Sequence, residues 1–163
     1  KKPSAVIEAV SKIISLRIPE ENLEVMRKLQ ASGYNMYIAS CSVGNIISRT
    51  LEMRGTDNIF KSVCANDISV QSGMLSEYNP IFLRGRDKIA CLEKNLGLKK
   101  ENTVVIGCSR DDVDILDWSR YPILIDQTKK GWERFGNRNY VFLESFSMIP
   151  SVIHSLTAKE HGN

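Results

Sequence analysis

The stretch Val104-Val105-Ile106-Gly107-Cys108-Ser109-Arg110-Asp111-Asp112-Val113-Asp114-Ile115-Leu116 decides how the rest of the chain is read. A short, continuous apolar run that stops at a glycine is the pattern of a strand buried on both faces, and Val113 to Trp118 behind it is spaced as a short helix. Strand followed directly by helix is one half of a parallel βα unit. Acids crowd the junction: Asp111, Asp112, Asp114 and Asp117. Carboxylates packed beside the end of a buried strand repel one another unless a positive charge sits among them, and a divalent cation is one answer. An acidic first turn is the other, with Asp111 as cap and Asp112 and Asp114 complementing the helix dipole.

Working towards the amino terminus, the same alternation recurs. The segment from about Asp87 to Leu96 has a helical period and ends at Gly97, and Phe60 to Ala65 is a further strand. Residues 66 to 84 form a hairpin or an irregular excursion turning at Gly73, with Asn79-Pro80 as a second break. Tyr34 to Ala39 is another nearly continuous apolar run, followed by Ser40-Cys41-Ser42 and a helix through Ile46, Ile47 and Leu51. Before it, a helix begins at Pro19 with Glu20 and Glu21 in its first turn, carries Leu23, Met26 and Leu29 on its apolar stripe, and ends at Gly33. Val6, Ile7, Val10, Ile13 and Ile14 make a helix at the start. Towards the carboxyl terminus come a strand at Ile123 to Ile125, a turn or helical segment near Trp132, a strand from Tyr140 to Leu143 and a helix through Ile149, Val152, Ile153 and Leu156.

Strands alternating with helices of this length predict an α/β fold: a Rossmann-like three-layer sandwich around a mainly parallel sheet. Ligands of such sheets bind outside the carboxyl ends of the strands, which selects Ser40-Cys41-Ser42, Gly107 to Asp112 and Asp126. Ser40 precedes a helix whose first N–H groups can receive a phosphate oxygen, although a hydroxyl there is also a common helix cap. Lys88, in Gly85-Arg86-Asp87-Lys88, opens a helix, where a cation is disfavoured by the dipole unless it has another partner.

The 163 residues suit one domain with a true core, and composition excludes fibrous and low-complexity classes. The net charge of +3 is spread over the chain with no basic block, which argues against nucleic acid as a partner. No apolar run approaches the ~20 residues of a membrane span. Cys41, Cys64, Cys91 and Cys108 form no CxxC pair and read as thiols of a cytoplasmic protein. His154 and His161 lie far from the candidate motifs.

A strand ending in Ser, then Gly-x-Asp-Lys at a helix start, then an apolar strand with Gly-x-Ser-x-x-Asp-x-x-x-Leu resembles, in that order, the second, third and fourth motifs of the haloacid dehalogenase (HAD) superfamily, most closely its phosphoserine-phosphatase-like branch. The resemblance spans residues 19 to about 126. It implies a phosphohydrolase acting on a small phosphomonoester through an aspartyl-phosphate. Ser40 and the Cys41 N–H would bind the transferring phosphoryl group, Lys88 would offset its charge, and Asp112, assisted by Asp111, would hold Mg²⁺ or a water of its shell.

The sequence also departs from the family. Its first motif, a strand ending Asp-x-Asp that supplies the nucleophile, is absent: no aspartate precedes Asp57. Cys108 stands where the family has a metal-binding aspartate, and a thiol is a poor ligand for a hard cation. In this fold the first-motif strand lies between the strand ending at Ser40 and the strand ending at Gly107. Leaving that slot empty exposes two rows of backbone groups. An upstream segment, closure of the two flanking strands, or a strand from a second chain would fill it. Lys1 opens without Met, and residues 4 to 16 resemble the last helix of the small helical cap inserted before the second motif, so residues 1–18 are expected to be the end of a cap and residues 19–163 a core lacking its nucleophile strand. The alternatives are a catalytically degenerate domain that binds a phosphorylated ligand or a protein partner, and a receiver-like α/β domain.

Overall fold

In a computed structural model, residues 4–80, 85–126, 128 and 135–158 are described. The segment near Trp132, and His161, lie outside them. The chain divides into two compact units, residues 1–88 and 89–163.

In the first unit, helix α1 (Ala5–Ser15) is capped by Ser4, whose Oγ accepts from the Ile7 N–H. Helix α2 (Glu20–Ala31) follows Pro19 as its N-cap and closes on Gly33, whose φ of +87° is the left-handed conformation that a Cβ disfavours. Strand β1 (Met36–Val43) leads into helix α3 (Gly44–Met53), and strand β2 (Phe60–Gln71) turns through Ser72-Gly73 into β3 (Met74–Asn79). Both turn residues have positive φ, 50° and 79°, which suits the twist of a two-residue hairpin. β2 is parallel to β1 over its first half and antiparallel to β3 over its second. It is therefore twice the length expected from its apolar run, because the hairpin arm is stabilised by strand pairing rather than by burial.

α1 packs on α3 through only part of its apolar set. Ile7, Ser11 and Ser15 are buried, whereas Val6 and Ile13 are 55% and 54% exposed. The small Ser11 allows the helices to approach closely: its Oγ donates to the Ile46 carbonyl at 3.2 Å, and Thr50 Oγ1 donates to the Ser11 carbonyl at 3.5 Å. Arg49 closes the contact by donating to both oxygens of Glu8 at 2.8 and 2.9 Å. On α2 the buried residues are Leu23, Val25 and Leu29, so Val25 takes the place expected of Met26.

Helix α4 (Gly85–Ala90) contains the division between the units and continues into a wider turn at Cys91–Asn95, which stops at Gly97. The second unit orders its sheet β4 (Val104–Gly107), β5 (Tyr121–Ile125), β6 (Val141–Leu143), all parallel. Helix α5 (Val113–Trp118) connects β4 to β5, and helix α6 (Ile149–Ala158) ends the unit. Ile115, Leu116, Ile123, Leu124, Leu143, Ile149 and Ile153 form its core. Each such side chain contributes roughly 1.5–3 kcal/mol by leaving water.

The apolar run of β4 predicts a strand buried on both faces, yet Ile106 is 37% exposed. The deepest strand is β5, with Ile123 and Leu124 both buried, because β5 has a strand on either side whereas β4 has one strand neighbour among the described residues. In the other sheet, β1 likewise has a single strand neighbour, β2, among the described residues. No described helix is long and apolar enough to cross a membrane. Cys41 and Cys108 remain thiols, but Cys64 and Cys91 are disulfide-bonded, which overturns the expectation of four thiols and removes its support for a cytoplasmic location.

Candidate functional site

Ser40 sits inside β1 rather than after its end, and the strand runs on to Val43. The regular ladder nevertheless stops at Ser40, which pairs with Ala65. The next pair is Val43 with Asn66, so Cys41 and Ser42 bulge out of register. Within the bulge the Ser42 N–H donates to Ser40 Oγ at 3.1 Å. A hydroxyl that accepts in this way keeps its own proton to donate elsewhere. Ser40 does not cap α3: Val43 is the N-cap residue, and no side chain bonds there.

The turn from β1 into α3 is tied to β2 by two asparagines. Asn66, 1% exposed, donates from Nδ2 to the Cys41 carbonyl at 2.7 Å. Asn45, in the first turn of α3, donates from Nδ2 to the Ile68 carbonyl at 3.1 Å, and its Oδ1 accepts from the Ile68 N–H at 3.2 Å. A Cβ on Gly44 would lie 3.2 Å from the Asn66 carbonyl oxygen, so glycine there permits the close approach. Neither asparagine was singled out from sequence. Asn66 opens the segment read as a hairpin or irregular excursion, and which way its amide would reach was not legible.

Lys88 belongs to the same unit, in α4, and is 3% exposed, which is rare for a lysine. Asp111 and Asp112 belong to the other unit. There the cap after β4 is Ser109, not Asp111 as expected. Asp112 Oδ2 accepts from the N–H groups of Cys108 and Ser109 at 3.0 and 3.1 Å and from Ser109 Oγ at 3.0 Å, a capping box with Asp112 as its acid. Asp111 is exposed. At Gly107 a Cβ would come within 2.7 Å of Asp112 Cβ, so the glycine is required by the same arrangement. Asp126 holds its own turn by accepting from the Thr128 N–H and Oγ1 at 2.9 and 2.7 Å.

Mg²⁺ takes about six oxygens in near-octahedral array. One oxygen of Asp112 is engaged by three protein donors, and Cys108 offers sulfur. No cluster of three or more His, Cys, Asp or Glu able to hold a metal occurs among the described residues. These residues do not make a Mg²⁺ site by themselves.

A cluster not foreseen joins α5 to the segment before β6. Tyr140 donates its hydroxyl proton to Asp117 Oδ1 at 2.6 Å, and Arg138 pairs with Asp117 Oδ2. Burial, and then the hydrogen bond to Asp117, push the Tyr140 phenol well above its ordinary value. Asp117, at the carboxyl end of its helix where an anion is disfavoured, is offset by Arg138.

Among solved structures the chain is similar to a HAD family hydrolase from Salmonella enterica serovar Typhi, with 16% identity and a TM-score of 0.66 over 87% of this chain and 49% of that one. It is similar to a probable phosphoserine phosphatase from Vibrio cholerae, with 16% identity and a TM-score of 0.67 over 93% of this chain and 47% of that one. It also resembles cytosolic 5′-nucleotidase IIIB bound to cytidine, with 15% identity and a TM-score of 0.61 over 96% of this chain and 57% of that one. The chain spans about half the length of these proteins. No protein-family model and no curated protein matches it. The fold is HAD-like, a Rossmann-like α/β fold of the phosphoserine-phosphatase kind.

Proposed function

We propose that the protein is a phosphohydrolase of small phosphomonoesters, for which this chain supplies the phosphate-binding turn and the buried lysine while a strand outside residues 1–163 brings the aspartate nucleophile. The observation that carries the reading is the β1 bulge. Ser40 Oγ, accepting from the Ser42 N–H, has its proton to give to a phosphoryl oxygen at the end of a parallel strand. The Cys41 N–H adds a second donor, and the Lys88 ammonium offsets the growing negative charge. One edge supports the outside strand: β1, the strand that leads into the phosphate-binding turn, has one strand neighbour among the described residues. An exposed row of backbone donors and acceptors is a template for an added strand. Whether the strand belongs to the same polypeptide or to a second chain, its edge pairing is the same.

Mg²⁺ is the cofactor that the fold suggests, but the residues here do not complete a site for it. Asp112 acts in this scheme by holding the loop from Gly107 to Ser109, with Asp111 beside it.

The commitment of Asp112 to a capping box, together with Cys108, favours a second reading: a non-catalytic domain that binds a phosphorylated ligand through the β1 turn. Kinetics of the protein with its nucleophile strand separate the two. Ser40→Ala should lower kcat/KM for p-nitrophenyl phosphate by about 10²–10³-fold, the cost of one preorganised oxyanion donor, at unchanged Tm. Undiminished turnover by that variant would overturn the role of Ser40. Phosphate binding without any turnover by the unsubstituted protein would establish the non-catalytic reading.

A further inference from the structure

We infer that Asn66 and Asn45 are positioning residues for the phosphate-binding turn, holding Ser40, Cys41 and Ser42 in the conformation that presents their donors. The inference rests on the phosphohydrolase reading for its ligand, but not for its geometry.

The bulge at Cys41-Ser42 has no ladder partner of its own, since β2 advances by one residue while β1 advances by three. A strand that leaves its ladder to a neighbour loses the bonds to it that fix its peptide planes. On the β2 side, Asn66 supplies a bond to the Cys41 carbonyl. Its buried Nδ2 fixes the Cys41 carbonyl at 2.7 Å, and that peptide unit also carries the Ser42 N–H that reaches Ser40 Oγ at 3.1 Å. A peptide is planar, so setting the direction of the carbonyl sets the direction of the N–H on its other side. Asn66 thus orients the Ser40 hydroxyl through one rigid plane.

Asn45 fixes the far end of the turn. Its amide bonds the Ile68 N–H and carbonyl together, as the backbone of a neighbouring strand would, at the place where β2 leaves β1 and takes up β3. Between them Gly44 lets the chain pass against the Asn66 carbonyl. One asparagine therefore holds each side of the turn, and both anchors lie on or against a strand that has a partner on either side.

The test is amide hydrogen exchange at Cys41 and Ser42, read by NMR without ligand and with inorganic phosphate, in the wild type, Asn66→Asp, Asn45→Ala and the control Ile153→Val. Asn66→Asp keeps the shape but turns a carboxylate oxygen towards the Cys41 carbonyl. It should speed exchange at Ser42 by about tenfold or more, the loss of one buried hydrogen bond, and weaken phosphate binding by a similar factor. Asn45→Ala should act in the same direction by a smaller factor, and Ile153→Val should leave both amides unchanged. Exchange in Asn66→Asp equal to that of the control overturns the inference. Faster exchange in Asn66→Asp, with no phosphate bound even by the wild type, upholds the positioning role and sinks the phosphate reading instead. If Asn66→Asp does not fold, Asn66→Ser, whose shorter side chain does not reach the Cys41 carbonyl, should speed exchange at Ser42 relative to Ile153→Val; exchange equal to that control would equally overturn the role.

Discussion

Replacing Gly107 by alanine should destabilise the second unit more than any other single methyl placed on a described glycine. The added Cβ would stand 2.7 Å from Asp112 Cβ, 3.1 Å from Leu116 Cδ1 and 3.3 Å from Asp112 Cγ. The first of these is set by the backbone of the helix and cannot swing away. Leu116 is fully buried and cannot yield without disturbing the core. Overpacking of this kind costs about 1–3 kcal/mol. Moving Asp112 also stretches its bonds to the Cys108 and Ser109 N–H groups, each worth about 0.5–1.5 kcal/mol. The expected loss is about 2–4 kcal/mol, or a fall of roughly 1–2 M in the urea midpoint at a typical slope. Asp112→Ala removes the Cγ contact but keeps the Cβ, so most of the cost should persist in the double variant. The assay is urea unfolding of the four proteins of that cycle, followed by circular dichroism. Gly107→Ala within about 0.5 kcal/mol of wild type would refute the packing argument, since that is the range of a surface change.

Other expectations concern charge and thiols. Arg49, by hydrogen bonding, holds Glu8 below its ordinary value of 4.5. A carboxylate with a depressed folded pKa adds stability above its unfolded value that is lost as pH falls, so Tm of the wild type and of Glu8→Gln should differ at pH 7 and converge below pH 4.5; a constant gap would contradict the pair. Tyr140, raised by burial and by the hydrogen bond to Asp117, should ionise above the ordinary tyrosine value of 10 in an alkaline absorbance titration, and Asp117→Asn should bring it earlier. Because its folded value lies above the unfolded one, its contribution is present below the unfolded value and fades as pH rises beyond it. Two thiols per chain should react with a disulfide reagent in the native protein, the exposed Cys108 faster than the half-buried Cys41, while Cys64 and Cys91 should react only after reduction; four native thiols would contradict the disulfide bonding.

Much of the fold was legible because the elements are punctuated. Gly33, Gly97 and Gly73 mark ends and a turn that follow from their positive φ, and the period of Val113 to Trp118 coincides with α5. What was not legible was pairing. The extra length of β2 comes from bonds to β3, the exposure of Ile106 from β4 having one strand neighbour among the described residues, and the partial burial of the apolar set of α1 from Ser11 meeting α3. None of these is written in local composition. At the candidate site, the residue types at Ser40 and Asp112 could be picked from sequence, but not the bond each makes. The capping box uses Ser109, three residues before Asp112, and that spacing was on view; the competing choice of Asp111 as cap was equally allowed by propensity.

The most direct test of the central claim is to measure hydrolysis of p-nitrophenyl phosphate by residues 1–163 alone and by the protein with its nucleophile strand, side by side. Turnover is expected from the latter and none above background from residues 1–163. Comparable turnover by residues 1–163 alone would contradict the claim, since the nucleophile would then lie within this chain.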